Sequence, residues 1–258
     1  MSNVVPFAGK VALVTGSSSG AGAAIALELG RRGAAVAVHC RTNIGQAESI
    51  AGRIGETGGK ASAFRADLAQ DGAPEKLAAD VESALGPVQL LINNAGPYDD
   101  APFRTLEPAM WDAIMAANLK APYLLAQKLA PAMERLGWGR IVNLGATSGF
   151  VRTHSVYGLA KAALLTLTES LALELAPTIT VNAVVPSQIA SARTDTMLVY
   201  KEAAIAGTPL GRLVTEDEIA HMVALVCSPE FDFVTGRAIV MDGGRTLPRF
   251  PRIGISEG

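Results

Sequence analysis

Short apolar runs alternate with longer stretches rich in Ala, Leu and Glu along nearly the whole chain. Most of these runs are continuously apolar, which is typical of parallel strands covered on both faces. Strands are predicted at residues 11–15, 35–39, 61–65, 89–93, 140–144, 180–185 and 238–241. Helices are predicted at residues 20–32, 44–57, 73–85, 108–135, 156–176 and 215–228. Because strands that alternate with helices form right-handed crossovers, the pattern predicts an α/β fold with a doubly wound parallel sheet of about seven strands.

The chain of 258 residues shows neither a break in composition nor an internal repeat. This predicts one domain over residues 1–258. The segment 186–208 carries no clear helix or strand pattern. Since long irregular segments in compact domains often cover binding sites, we expect a substrate lid at 186–208, with an ordinary surface excursion as the alternative.

The formal net charge of −2 gives no basic excess of the kind that nucleic-acid-binding proteins show. No apolar run approaches the roughly 20 residues that span a bilayer, and the first residues do not resemble a signal peptide. The two cysteines and three histidines are scattered, which favours neither a disulfide framework nor a metal site. These features predict a cytoplasmic protein that binds neither metal, nucleic acid nor membrane.

Glycines follow the first predicted strand and lead into the first predicted helix. Glycine lets the backbone turn sharply and approach a pyrophosphate, and a helix N-terminus adds partial positive charge. The strand before and the helix after raise the specificity of a motif that would be weak alone. We therefore predict a Rossmann-type fold in which the phosphates of a dinucleotide are bound by Gly16, Ser18, Ser19, Gly20 and Gly22.

The second predicted strand is followed by Arg41 and Thr42 and by no carboxylate. An acidic residue at this place binds the ribose 2′-hydroxyl in such folds, whereas an arginine accommodates a 2′-phosphate. Arg41 can pair with a phosphate through two parallel hydrogen bonds. The sequence therefore predicts NADP(H) as the preferred cofactor, with NAD(H) as the alternative if Arg41 points to solvent.

Four further stretches accompany the glycine motif. They are Asn93-Asn94-Ala95-Gly96, Tyr157-Gly158-Leu159-Ala160-Lys161, Pro209-Leu210-Gly211-Arg212 and Val240-Met241-Asp242-Gly243-Gly244. With these motifs, in this order, the chain resembles the short-chain dehydrogenase/reductase family along nearly its whole length, in its 3-oxoacyl-carrier-protein-reductase-like branch. The resemblance implies further cofactor contacts from Asp67, Leu68, Asn94, Ala95, Gly96, Tyr157, Lys161 and Pro186.

Tyr157 and Lys161 are four residues apart, so they share one face of a helix. A nearby ammonium favours the phenolate, so the pKa of Tyr157 is expected to fall from its ordinary value near 10. In a reduction, Tyr157 then gives its proton to the developing alkoxide. The resemblance implies that Lys161 holds the nicotinamide ribose and that Asn118 anchors a water that resupplies the proton. Alternatively, Asn118 patches a helix kink caused by Pro122, which removes the donor to its carbonyl.

The sequence departs from the family pattern at two places. The family usually has a serine just after the fifth strand, where it hydrogen-bonds the substrate oxygen, and this chain has Ala146. Thr147 or Ser148 follows at once and either is a candidate for the missing hydroxyl. The second departure is Ser187 where the family commonly has glycine after proline, which disfavours a positive-φ turn there.

These observations predict an NADPH-dependent reductase of a small or medium carbonyl compound. Ala146 motivates an alternative, a dinucleotide-binding sensor or scaffold with little turnover, and local likenesses keep a pteridine-type reductase as a minority alternative. Tyr98, Asp99, Thr147 and His154 are candidate substrate contacts because they lie close to the motifs. Apolar residues lie around much of the helices 108–135 and 156–176, which predicts a homo-oligomer. The resemblance to the family implies a tetramer first and a dimer next.

Overall fold

The computed structural model describes residues 6–99, 101–102, 104–151 and 155–248. Its main sheet has seven parallel strands in the order β3-β2-β1-β4-β5-β6-β9, which confirms the predicted α/β fold. These strands are β1 (Val11–Val14), β2 (Ala35–Cys40), β3 (Ala61–Arg65), β4 (Val88–Asn93), β5 (Gly139–Leu144), β6 (Ile179–Pro186) and β9 (Ala238–Met241). The candidate contact His154 lies outside the described residues.

The sheet is covered on both faces, as the continuously apolar strands predicted. In β1 successive side chains enter opposite faces of the sheet, because the period of a strand is two residues. Ala12 and Val14 belong to one core cluster, and Val11 and Leu13 to the other. Each cluster is closed by helices, so the strands lie in a three-layer α/β arrangement that leaves their carboxyl ends free at one edge.

The predicted helices are present, with small shifts at their ends. They are α1 (Gly20–Arg31), α2 (Ile44–Glu56), α3 (Ala73–Leu85), α4 (Pro108–Met115), α5 (Ala121–Arg135), α6 (Val156–Leu175) and α9 (Glu216–Val226). Helix α9 begins with a capping box of Thr215 and Glu218, in which each side chain bonds the other's backbone N–H.

The helix predicted as one unit over 108–135 contains a π-helical turn at Ala116–Lys120. The Ala121 N–H bonds the Ala116 carbonyl, five residues back, and Pro122 has no N–H to restore the usual ladder. The π-helical turn therefore replaces the simple proline kink that the sequence predicted. Such turns are frequent at functional sites, and this one contains Asn118.

The segment 186–208 is not the irregular stretch that the sequence predicted. It contains β7 (Ile189–Ala190), α7 (Ala192–Asp195) and α8 (Leu198–Ala206). The short strand β7 pairs with β8 (Val214–Thr215) in a separate two-stranded sheet. Elements of two to nine residues show too little hydrophobic periodicity to be predicted from the sequence.

Among the described residues, α6 is the one helix long and apolar enough to cross a membrane by length and composition. It packs on β5 and β6, and its buried residues include Leu164, Thr168 and Leu171. The same apolar composition is expected of a helix in the core of a globular protein, so the contacts of α6 account for it.

Candidate active site

The loops that follow β1, β2, β3 and β4 surround a cavity of about 540 Å³ at the carboxyl edge of the sheet. The strand order reverses direction between β1 and β4, and open α/β sheets bind ligands at such a switch point. The cavity gathers the predicted cofactor residues Gly16, Ser18, Ser19, Arg41, Thr42, Asp67, Leu68, Asn94, Ala95 and Gly96. Gly20, Gly22, Tyr157, Lys161 and Pro186 do not line this cavity.

The glycine loop after β1 is tightly packed. Gly16 has φ +65°, and a Cβ there would lie 3.0 Å from the Ala95 Cα. Gly22 lies behind the loop, where a Cβ would come within 2.3 Å of the Gly16 carbonyl oxygen. Glycine at these two positions is therefore required by close approach rather than by flexibility alone.

Asn94, which directly follows β4, holds the glycine loop through hydrogen bonds. Its Nδ2 donates to the carbonyls of Thr15 and Gly16 at 2.9 and 3.0 Å. The Thr15 hydroxyl in turn accepts from the N–H groups of Asn94 and Ala95. The glycine loop after β1 and the asparagine-containing motif after β4 thus form one hydrogen-bonded unit.

The N-terminus of α1 is open to an anion. The N-cap residue Ser19 makes no side-chain cap hydrogen bond, and the first turn holds no acidic residue. The first N–H groups of a helix lack partners inside the helix, so they and the positive end of its dipole suit a phosphate. Arg41 and Thr42 are exposed and line the same cavity.

Lys161 is buried in α6, with 4% of its side-chain surface exposed. Its Nζ donates to the Leu144 carbonyl at 2.8 Å and lies 5.5 Å from the centroid of the Tyr157 ring. Burial lowers the pKa of Lys161 to about 8. Ser155 caps the N-terminus of α6 by accepting from the Gly158 N–H, so the helix begins just before Tyr157.

The pKa of Tyr157 is raised to about 12, by burial first and by the neighbouring Tyr98 second. This is opposite to the direction expected from the sequence, because burial of the phenol disfavours the charged phenolate. The Tyr98 ring meets the Tyr157 ring edge-on at a centroid distance of 5.0 Å. Tyr157 is therefore a neutral phenol at ordinary pH, the form that a proton donor needs.

Asn118 is buried in the π-helical turn. Its Nδ2 donates to the carbonyls of Pro97 and Ile114, both at 3.1 Å. The Asn118 side chain thus bonds the Ile114 carbonyl, one helical turn earlier. Patching of the disturbance at Pro122 would instead require a bond to the Asn118 carbonyl itself. A Cβ at Gly96 would overlap the Asn118 carboxamide, at 2.1 Å from Oδ1, so these two predicted site residues are in contact.

Ala146 has extended backbone and precedes the 3₁₀ turn Thr147–Gly149. Gly149 packs so closely on α6 that a Cβ would lie 3.1 Å from the Lys161 carbonyl carbon. The Ser148 Oγ is buried and has no hydrogen-bond partner among the residues described. Of the two candidates for the missing hydroxyl, Ser148 therefore has an unused polar atom beside the helix that bears Tyr157.

Pro186 is buried at the carboxyl end of β6, opposite Met241 of β9. The following Ser187 donates its N–H to the Met241 carbonyl at 3.2 Å. In the described part of the chain only glycines have positive φ, so the backbone at Ser187 takes a path open to any residue. The replacement of glycine at Ser187 is therefore accommodated without strain.

Three residues that hold the loops of this edge were not predicted as site residues: Thr15, Ser17 and His39. Ser17 and His39 are both fully or almost fully buried, with 0% and 2% exposure. Their bonds join segments far apart in sequence, so no local motif marks them. A histidine inside an apolar strand was the one signal that could have drawn attention to this contact.

Residues 16–246 match the family model described as enoyl-(acyl carrier protein) reductase. The chain is 35% identical over 242 residues to nodulation protein G of Azospirillum brasilense, covering 91% of this chain and 97% of that protein. It is also 35% identical over 240 residues to a 3-oxoacyl-[acyl-carrier-protein] reductase of Pseudomonas aeruginosa, covering 92% and 97%.

Among solved structures, the fold is similar to that of a gluconate 5-dehydrogenase from Burkholderia cenocepacia in complex with NADP and tartrate. The TM-score is 0.88 with 28% sequence identity, covering 96% of this chain and 99% of that one. The match of the family model over most of the chain and the two full-length relatives agree with the geometry of the carboxyl edge. The chain belongs to the short-chain dehydrogenase/reductase family of oxidoreductases.

Proposed function

We propose that this protein is an NADPH-dependent reductase of small or medium carbonyl compounds. The observation that carries the proposal is the pair of Tyr157 and the buried Lys161 on α6, which packs against the π-helical turn whose Ala117 lines the cofactor cavity. A protein that only bound a dinucleotide would not need this pair. The names of the Pseudomonas relative and of the Burkholderia dehydrogenase support carbonyl and alcohol chemistry.

The residues around the cavity fit a phosphorylated dinucleotide. The uncapped N-terminus of α1 suits the pyrophosphate, and Arg41 with Thr42 suits a 2′-phosphate. Asp67, Leu68, Asn94, Ala95 and Gly96 would line the adenosine and ribose side. The NADP bound to the Burkholderia structure supports the choice of NADP(H), with NAD(H) as the alternative. When bound, the reduced nicotinamide supplies a hydride.

The chain's own residues supply the proton. Tyr157 donates it to the oxygen of the substrate carbonyl as negative charge develops there, which a neutral phenol can do. Lys161, cationic below its pKa of about 8, would bind the nicotinamide ribose and stabilise the phenolate that remains. Pro186, at the carboxyl end of β6, would lie against the nicotinamide. Tyr98 would contact the substrate, and the contact of its ring with that of Tyr157 supports this role.

Asn118 would hold the water that resupplies the proton. Pro122 cannot donate to the Asn118 carbonyl, since proline has no N–H. The usual donor four residues on is therefore missing, which supports water binding at this carbonyl. Segment 186–208 would cover the substrate, with α8 exposing apolar Leu198 and Val199.

The experiment is to follow NADPH oxidation against a panel of ketones, 3-oxoacyl thioesters, sugar-like ketones and pterins. We expect Tyr157→Phe to lower kcat by about 10²–10⁴-fold, the usual contribution of a positioned general acid, with NADPH affinity within about twofold. Tyr123→Phe, which removes an exposed phenol on α5, is the matched control and should leave both unchanged.

Turnover that survives in Tyr157→Phe would contradict the assignment of the acid. A wild-type protein that binds NADPH but turns over no substrate would favour the sensor or scaffold. Turnover confined to pterins would favour the pteridine-type reductase. Failure to bind either NADPH or NADH would remove all three.

We propose further that the protein is a homo-oligomer, a tetramer before a dimer. Leu159 and Leu173 on α6 are apolar and exposed, by 50% and 85%. The edge strand β9 exposes Val240 and pairs with β6 on one side. Exposed sheet edges and exposed apolar side chains are surfaces that a second copy would cover. A light-scattering mass equal to one 26.7 kDa chain would contradict this.

A further inference from the structure

No step of the reaction uses His39, a histidine inside the mainly apolar strand β2. Its side chain is 2% exposed, yet it forms part of the wall of the cofactor cavity. A buried imidazole in a sheet needs partners for both ring nitrogens, because an unpaired buried polar atom is costly. The identity of those partners shows what His39 connects.

Both ring nitrogens have partners that fix the proton. The Gly16 backbone N–H lies 2.9 Å from Nδ1, and the Ala66 carbonyl oxygen lies 3.0 Å from Nε2. A backbone N–H can only donate and a carbonyl can only accept, so Nδ1 is the acceptor and Nε2 carries the proton. Burial lowers the pKa of His39, which keeps the ring in this neutral form.

The backbone of His39 also clamps the glycine loop. The Ser17 N–H donates to the His39 carbonyl at 2.8 Å, and the His39 N–H donates to the Ser17 Oγ at 3.0 Å. The Ser17 hydroxyl donates onward to the Val14 carbonyl at 2.6 Å. These bonds depend on the backbone of residue 39, so any side chain there preserves them, whereas the bond to Gly16 requires an acceptor atom on the side chain.

The two ring contacts are to two different loops that line the cavity. Gly16 begins the glycine loop after β1, and Ala66 follows β3 and immediately precedes Asp67. Asn94 holds Gly16 through its carbonyl, and His39 holds it through its N–H. Gly16 is thus held at both its carbonyl and its N–H, and the His39 ring accepts the bond from the N–H.

We propose that His39 is a positioning residue for the cofactor, whose Nδ1 holds the Gly16 peptide in the orientation that binds the phosphates. This rests on the proposed binding of NADPH at the same cavity. It differs from a merely structural role, in which the ring would fill space and satisfy Ala66 with no effect specific to the loop.

Two substitutions separate the ring contacts. In His39→Asn the side-chain Oδ1 occupies the place of Nδ1 and can still accept from Gly16. In His39→Gln the side-chain Nε2 occupies the place of the ring Nε2 and can still donate to Ala66. Each variant removes one contact and part of the ring, so we expect similar decreases in melting temperature.

The measurements are NADPH affinity by fluorescence titration, the KM for NADPH, kcat at saturating NADPH, and melting temperature. We expect His39→Asn to bind NADPH within about threefold of wild type and His39→Gln about tenfold or more weakly, since it leaves the Gly16 N–H unpaired. The kcat at saturation should be the same in both, with the loss confined to KM.

Equal affinity in the two variants, whether both keep it or both lose it, would overturn the proposal and leave His39 a structural residue. Weaker binding by His39→Asn than by His39→Gln would overturn it too, by assigning the effect to Ala66. If wild type itself binds neither NADPH nor NADH, the failure belongs to the proposed function and not to His39. A kcat loss in His39→Gln without a change in KM would also contradict a positioning role.

Discussion

The two halves of the carboxyl edge differ in how completely their polar groups are paired. In the cofactor half, formed by the loops after β1 to β4, Gly16 is held by Asn94 and His39, and Ser17 is held on both its N–H and its hydroxyl. In the catalytic half, formed by the π-helical turn and the segments after β5 and β6, the Oδ1 of Asn118, the Oγ of Ser148 and the Oε1 of Gln188 are buried without a partner among the described residues. The Oδ1 of Asn93, where β4 meets β5, is also buried and unpaired, so the contrast is one of degree. The glycine loop is therefore hydrogen-bonded before any ligand binds, whereas the catalytic half has several polar atoms without partners.

This difference follows the ligands that the halves are proposed to bind. A dinucleotide presents the same phosphates in every turnover, so a rigid loop loses no entropy in binding it. A buried polar atom without a partner costs about 1–3 kcal/mol, so its presence at an active site is explained if substrate or water pairs with it. We infer that specificity lies in the segments after β5 and β6.

The largest test of the comparison is Ala146→Ser. If the catalytic half lacks a hydroxyl that stabilises the substrate oxygen, restoring it should raise kcat by up to about 10²–10³-fold, the usual effect of one such donor. NADPH affinity should not change, because Ala146 lies outside the cofactor cavity. The measurement is steady-state reduction of the best substrate of the panel, beside a direct NADPH titration.

Ser148→Ala is the matched variant. An unchanged kcat in Ala146→Ser together with a large loss in Ser148→Ala would show that Ser148 already supplies the hydroxyl. The catalytic half would then be as complete as the cofactor half, and the comparison would fail at this point. A higher kcat in Ala146→Ser together with an unchanged kcat in Ser148→Ala would strengthen the contrast between the two halves.

The next effect concerns the rigidity of the cofactor half. In Gly22→Ala the new Cβ would lie 2.3 Å from the Gly16 carbonyl oxygen and 2.5 Å from the Asn94 Nδ2. Overpacking of this kind costs about 1–3 kcal/mol, so we expect NADPH affinity to fall about 10–100-fold, with a lower melting temperature. Titration and thermal unfolding measure both.

Gly52→Ala on α2 is the control for Gly22→Ala. A Cβ at Gly52 meets no atom within 4 Å, and alanine favours the helix, so neither affinity nor stability should decrease. If Gly22→Ala were tolerated as well as Gly52→Ala, the loop would be adaptable and the contrast between the two halves would disappear.

The sequence predicts the parts of the site that local motifs define. The glycine loop, the Asn94 motif and the pair Tyr157 and Lys161 each lie within a few residues of one element. Long-range contacts were not predictable in this way: the bonds of His39 join residues 23 and 27 positions apart. A histidine in a strand gives no information about which loop it will meet.

The burial of the Tyr157 ring and the irregular backbone of the π-helical turn were likewise not predictable from the sequence. The spacing of Tyr157 and Lys161 indicates that they share a helix face, yet the direction of the Tyr157 pKa is decided by how much protein covers the ring. Pro122 indicates a disturbed helix, but whether the disturbance becomes a kink or a π-helical turn depends on packing of the surrounding residues. The fold itself was predictable, because it depends on the repeated alternation of apolar strands and helices.

The last prediction concerns the dependence of the reduction on pH. A lysine is cationic below its pKa and neutral above it, so Lys161 loses its charge as the pH rises through about 8. If that charge binds the ribose and stabilises the Tyr157 phenolate, kcat/KM for reduction should be constant below pH 8 and fall about tenfold per pH unit above it. Tyr157 stays protonated over this range, because its pKa is about 12. The NADPH affinity attributed to the glycine loop should change less, since its backbone donors do not titrate. A flat kcat/KM profile to pH 10 would show that the charge of Lys161 is not used, or that bound cofactor restores its ordinary pKa, and the catalytic half would then be as indifferent to pH as the cofactor half.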